Sequence, residues 1–118
     1  MTDDRAGIGI GSPRASGQGG YGGPSQELAL GFALEVADRA GLAICAIDTD
    51  GTDGPTDLAG GIADGHTVGR ARAAGLDVYR RLGEHDSGSL LVALGDAVVT
   101  GNTGTNLCDL NLIYVSGE

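Results

Sequence analysis

The sequence has no lysine and no tryptophan, and its aromatic side chains are one Phe and three Tyr in 118 residues. Its seven basic residues are therefore all arginine, set against 16 acidic ones, for a net charge of −9. A chain without a basic face is poorly suited to nucleic acid or an anionic membrane, so neither is expected as a partner. Without lysine there is no P-loop lysine and no Schiff-base chemistry. A high-salt cytoplasm and GC-rich codon usage would each suit an acidic, lysine-free chain. Leu, Ile, Val and Ala must fill a core that has few aromatic rings, and 118 residues suffice for one modest domain. No apolar run approaches the ~20 residues that a membrane-spanning helix needs. Met1-Thr2-Asp3-Asp4-Arg5 is acidic and no apolar stretch follows it, so a cytoplasmic location is expected. The two cysteines, Cys45 and Cys108, each adjoin an apolar stretch and read as small buried apolar residues, not as a disulfide or metal pair.

What the chain does have in excess is glycine, 23 residues, eight of them between Gly7 and Gly23. Such a segment buries too little surface to offset its ordering entropy, and residues 1–16 are expected to be flexible, with one domain over 17–118. Gly17-Gln18-Gly19-Gly20-Tyr21-Gly22 matches G-x-G-x-x-G, but a dinucleotide site wants a strand just before it, and Ser12–Ser16 is a poor one. A helix is predicted from Pro24 or Ser25 to Ala40, with Leu28, Phe32, Leu34 and Val36 as its apolar stripe and Gly41 after its end. Its N-terminus follows the glycine loop and would favour an anion.

Leu42–Ile47 reads as a buried strand. It runs into the densest stretch of the chain, Asp48-Thr49-Asp50-Gly51-Thr52-Asp53-Gly54-Pro55-Thr56-Asp57, with four carboxylates in ten residues. Like charges at ~4 Å repel by about 1 kcal/mol in water and about 4 kcal/mol at an effective dielectric of 20, so backbone N–H groups, an arginine or a divalent cation must hold this loop. Two readings stay open on the residues alone: Asx-turns at a strand end, or a cation- or phosphate-handling loop at the carboxyl edge of a sheet. An EF-hand is excluded, because counting from Asp48 puts Asp53 at the sixth position and Ala59 at the twelfth.

Further on, residues 58–63 fit either a short strand or a helical turn, and Asp64-Gly65 marks a turn. Short helices are predicted over Thr67–Ala74, Asp77–Leu82 (Val78, Tyr79 and Leu82 inward) and Ser89–Leu94, the last capped by Ser87. Ala97–Val99 reads as a strand. Thr100–Asn106 is a polar loop whose hydroxyls, amides and freed N–H groups suit a phosphate nest, its alternative being a structured turn. Leu110–Val115 closes the chain as a strand, with Leu110, Leu112 and Tyr114 alternating against Asn111, Ile113 and Val115. His85-Asp86-Ser87 has the letters of a catalytic triad, but three consecutive side chains cannot line up in relay. His66 reads as a surface residue. Strands alternating with helices predict an α/β class: a single layered domain with a mixed β-sheet flanked by helices.

Three segments together resemble the MOFRL domain, the C-terminal domain of glycerate 2-kinases that are often labelled hydroxypyruvate reductases. They are Gln26-Glu27-Leu28-Ala29-Leu30, the run Asp50–Asp57 with Ala59-Gly60, and Thr100-Gly101 with Thr103-Gly104-Thr105-Asn106 and Asp109-Leu110. The resemblance implies a cytoplasmic, ATP- and Mg²⁺-dependent transfer of phosphate to D-glycerate, in a cleft shared with a Rossmann-like N-terminal domain. It also implies that Asp50 and Asp53 are catalytic and hold the metal. Gly20, Gly22, Gly23, Gln26, Thr52, Thr103, Gly104, Thr105 and Asn106 would line the substrate and phosphate pocket. The chain departs from the family's G-G-R-N-Q-E motif, since Pro24-Ser25 follows Gly22-Gly23 and the motif arginine is missing. Asn102 and Cys108 also stand where the family usually has Pro and Asn. A non-catalytic module, or the partner subunit of a split enzyme, is the alternative reading, and an open edge strand would suit homo- or hetero-oligomers. The weaker alternative is an NAD(P)-dependent hydroxypyruvate reductase that uses loop 17–22 and Asp48 for the ribose.

Overall fold

The computed structural model describes residues 20–104 and 109–116. Four helices and four strands follow in the order α1 (Pro24–Glu35), β1 (Leu42–Asp48), β2 (Gly60–Asp64), α2 (Thr67–Ala73), α3 (Val78–Gly83), α4 (Ser87–Leu94), β3 (Ala97–Val98) and β4 (Asp109–Val115). The expected layered α/β class is what forms, with the strand order β3-β2-β1-β4. Every pairing among the described strands is antiparallel, where a mixed sheet was expected.

The helices cover one face of the sheet. Ala29 and Ala33 of α1 pack on Ile44, Ala46 and Ala63, and these small side chains bring the helix close. Leu30, Ala71, Val78, Leu90 and Leu91 form a second cluster that joins all four helices. Complete burial of a leucine such as Leu90 is worth about 1.5–3 kcal/mol. Residues 58–63, ambiguous in sequence, supply β2. Its first two residues are glycines because little else fits there. A side chain at Gly60 would strike the Ala46 carbonyl, and one at Gly61 would strike Leu91.

Several helix details differ from expectation. α1 stops at Glu35, not Ala40. Asp38 takes a left-handed conformation (φ 65°) and donates its N–H to the Gly65 carbonyl, which fastens the helix end to the turn after β2. The buried face of α1 is Ser25, Gln26, Ala29, Leu30 and Ala33, while Leu28 points to solvent. The sheet selects the small side chains. Tyr79, expected inward, is 77% exposed, whereas Val78 is buried as expected. α4 starts at Ser87, two residues early, behind Asp86. Cys45 lies half-buried on the sheet face away from the helices, and Cys108 falls outside the described residues. No described helix is long and apolar enough to cross a membrane.

Candidate functional site

Three loops meet beyond the carboxyl end of β1: residues 20–23, 48–59 and 99–104. The middle loop folds on its own backbone. Gly51 N–H donates to Asp48 O (3.0 Å), Asp53 N–H to Leu58 O (2.7 Å), and Asp48 N–H to Ala59 O (2.7 Å). Its four carboxylates then have different fates.

Asp53 turns inward and is 1% exposed. Its Oδ1 accepts the Ser25 N–H (2.9 Å), and its Oδ2 accepts both the Gln26 N–H and the Gln26 amide (2.8 Å each). The residue at the α1 N-cap is Gly23, which has no side chain to offer, so a carboxylate from 28 residues away satisfies the free N–H groups of the first turn. Burying a charge is tolerable only with such partners, and the positive end of the helix dipole adds to them. The Gln26 amide also reaches the Thr56 hydroxyl (3.0 Å), and Thr56 closes the loop on Asp53 O (2.8 Å). Gly23 lies against the Asp53 backbone so closely that a Cβ there would collide with it. The anion at the start of α1 is thus part of the protein.

Asp50 turns outward. Its Oδ1 accepts the Thr52 N–H (2.8 Å) and hydroxyl (3.0 Å) in an Asx-turn. Those two donors hold its carboxyl below the ordinary aspartate range, although partial dehydration opposes them. Asp48 accepts the Asp50 N–H (3.3 Å), which lowers its pKa. Lost hydration and the facing Asp50 and Asp109 carboxyls outweigh that bond, and Asp48 is raised. Asp57 is exposed, and its N–H donates to the Tyr21 hydroxyl (3.3 Å).

The third loop is tied to the second. The Thr103 hydroxyl donates to Thr49 O (2.6 Å) and its N–H to Asp50 O (3.3 Å). Gly51, at φ 94°, is buried beneath Gly101, where a side chain would meet the Gly101 carbonyl. Gly104 N–H bonds the Asn102 side chain (2.9 Å). Among the expected site residues, Asp50, Thr52, Thr103 and Gly104 therefore share one end of the molecule. Thr105 and Asn106 lie outside the described residues.

Gly20, Gly22 and Gly23 reach this end by a route the sequence did not reveal. Gly20 N–H donates to Glu84 O (3.2 Å), and Tyr21 N–H to Asp86 Oδ1 (2.8 Å). Tyr21 O accepts the Gly88 N–H (2.7 Å). Asp86 also holds Arg81 (2.5 Å) and the Ser89 hydroxyl (2.6 Å). The Asp-Ser pair that opens α4 was the available signal, hidden by its likeness to triad letters. His85 instead faces Glu27 (2.8 Å), and Ser87 is fully buried. Gln26 Oε1 and Ser87 Oγ are buried without a partner among the described residues, where α1, α4 and the glycine loop meet.

No group of three or more metal-ligating side chains occurs among the described residues. Asp53 has both oxygens committed to N–H groups. Asp50 uses only its Oδ1 to hold Thr52, and a single carboxylate fits a Mg²⁺ that takes its other ligands from phosphates and water.

The MOFRL family model matches residues 11–109. A glycerate 2-kinase of Pyrococcus horikoshii is 47% identical over 102 residues, covering 86% of this chain and 23% of its own. A D-glycerate 2-kinase of Thermotoga maritima is 48% identical over 91 residues, covering 77% of this chain and 22% of its own. The crystal structure of a glycerate kinase from Thermotoga maritima superposes with a TM-score of 0.80 at 45% identity, covering 83% of this chain and 24% of that one. The chain thus spans about a quarter of the length of the curated relatives it matches.

Proposed function

The chain belongs to the MOFRL family, and on that premise we propose that it supplies one wall of a cleft in which ATP, with Mg²⁺, phosphorylates D-glycerate. The other wall would come from a Rossmann-like domain corresponding to the remaining three quarters of the relatives. The observation that carries this reading is the meeting of three hydrogen-bonded loops at the end of β1, with one carboxylate turned out and one turned in.

The two acids divide the work. Asp50, held ionised by Thr52, is the group that meets Mg²⁺ or substrate. Bound Mg²⁺ would offset the charge that builds on the transferring phosphoryl oxygens. Asp53 is a positioning residue: through Gln26 and Thr56 it sets the glycine loop against the Asp50 loop. Thr52, Thr103 and Gly104 wall the pocket with hydroxyl and N–H donors, and Thr105 and Asn106 extend that wall. Phosphoryl transfer depends mainly on positioning and charge stabilisation, which suits loops fixed in this way.

Asp50→Asn in this chain joined to the remaining three quarters of a relative should lower kcat by about 100-fold at unchanged melting temperature. Unchanged kcat/KM would remove Asp50 from the mechanism. A chain that works without the other three quarters would instead be a binding or assembly module; a melting temperature raised by Mg²⁺-ATP in the isolated protein would speak against that reading, because it would place a nucleotide site on this chain. The nicotinamide reading gains nothing from the geometry, because the Asp53 carboxylate stands at the helix end where a pyrophosphate would sit.

A further inference from the structure

β4 is a different kind of element from the rest of the domain. It pairs with β1 in seven consecutive register positions, Leu42–Asp48 against Val115–Asp109, and no described strand lies on its other side. The register puts Leu112 beside Cys45 and Ile62, and Tyr114 beside Ala43, on the face away from the helices. A groove of about 500 Å³ runs over these residues, with Arg70 and Asp96 also lining it. The helix layer stops short of β4, so Ile113 and Val115 on the other face are exposed as well, at 61% and 66%.

Soluble proteins shield long edge strands with proline, lysine, bulges or brevity. The opposite edge follows that rule, since β3 has two residues. β4 has seven, with no Pro, no Lys and an unbroken register. An apolar face of this kind marks an interaction surface. Two facts select its occupant. In the Pyrococcus and Thermotoga relatives the matching segment is less than a quarter of the chain, so the same domain lives beside some three times its own length of polypeptide. A second copy is disfavoured by a net charge of −9 on each chain.

We propose that the open sheet face and the free edge of β4 seat an apolar surface of the polypeptide that forms the remaining three quarters of the glycerate 2-kinase relatives, whether it is joined to this chain or separate. This rests on the two-walled cleft described above and assigns the surface that holds the walls together: the side of the sheet, leaving the loop end open to ligands.

Cys45 reports on the face directly. The matching segment of the Pyrococcus relative is replaced by this chain, with Cys108→Ser in both the fusion and the isolated protein, and Cys45 alkylation is timed in each. The expected result is labelling at least 10-fold slower in the fusion. Equal rates would overturn the proposal. Leu112→Asp should lower the melting temperature of the fusion by several degrees and leave the isolated chain unchanged; equal effects in both would also overturn it. Sedimentation of the isolated chain provides a measurement independent of the fusion's folding. A monomer supports the assignment, and a dimer that protects Cys45 overturns it in favour of a second copy. ADP formation separates this proposal from the functional one. An active fusion with freely labelled Cys45 sinks the interface and keeps the kinase reading, whereas an inactive fusion with protected Cys45 does the reverse.

Discussion

The loop end and the β4 edge of this domain are built on opposite terms. At the loop end, four carboxylates crowd into ten residues, yet each described charge has a defined environment and one of them is almost wholly buried. At the β4 edge, apolar side chains stand in water on both faces of the strand. Composition alone would have put the acids outside and the leucines inside. Hydrogen bonding reverses the first expectation, because three N–H donors make an interior place for Asp53. The reach of the helix layer reverses the second: α1 packs on β1 and β2 and leaves β4 uncovered. The loop end holds its buried carboxylate with donors from within the chain. The β4 edge is defined by what comes to cover it.

The sharpest way to break this contrast is at Asp53. Asp53→Ala strips the partner from two backbone N–H groups and the Gln26 amide, and it should destabilise the isolated protein by about 3 kcal/mol in urea unfolding. A loss below 0.5 kcal/mol, within the range expected of surface changes, would show that the loop end does not depend on its buried charge. Thr103→Val removes a 2.6 Å bond between two loops at an exposed site, and about 1 kcal/mol is expected from the same measurement. Acid should act unevenly on the two neighbouring carboxyls. Asp50 is lowered, so the stability of its turn is present above the ordinary aspartate pKa near 3.8 and is lost as pH falls through its own lower value. Asp48 is raised, so its ionised form opposes folding, and that opposition is relieved as pH falls through its higher value. Carboxyl carbon shifts followed by NMR should show Asp48 protonating before Asp50 on acidification, and the reverse order would contradict the hydrogen-bond assignment. The smallest effect belongs to the edge. Leu112→Asp in the isolated chain should shift stability by no more than about 0.5 kcal/mol, because that side chain is 60% exposed.

Elements with a strong local pattern were legible in the sequence. β1 is an apolar run, β4 alternates, Pro24 opens α1 and Asp64-Gly65 turns the chain, all within a residue or two of expectation. What was hidden depends on distant partners. β2 could not be told from a helical turn because its Gly60 and Gly61 answer to Ala46 and Leu91 rather than to strand propensity. α1 ends early because Asp38 finds Gly65. The three motifs of the site were visible as motifs, and the structure brings their described residues to one end. Within the aspartate loop, however, nothing in the letters separates Asp50 from Asp53. Their difference is made by the start of α1, nearly thirty residues earlier, and by a glycine where a capping side chain would ordinarily be.

That borrowed cap also has a consequence in time. During synthesis the first turn of α1 emerges from the ribosome 28 residues ahead of the carboxylate that completes it. At about 5–20 residues per second the interval is roughly 1–6 s. A helix of 12 residues without a cap of its own is marginal in water. For that interval the nascent chain holds a helix-forming segment whose first-turn amides lack the carboxylate that binds them in the folded domain.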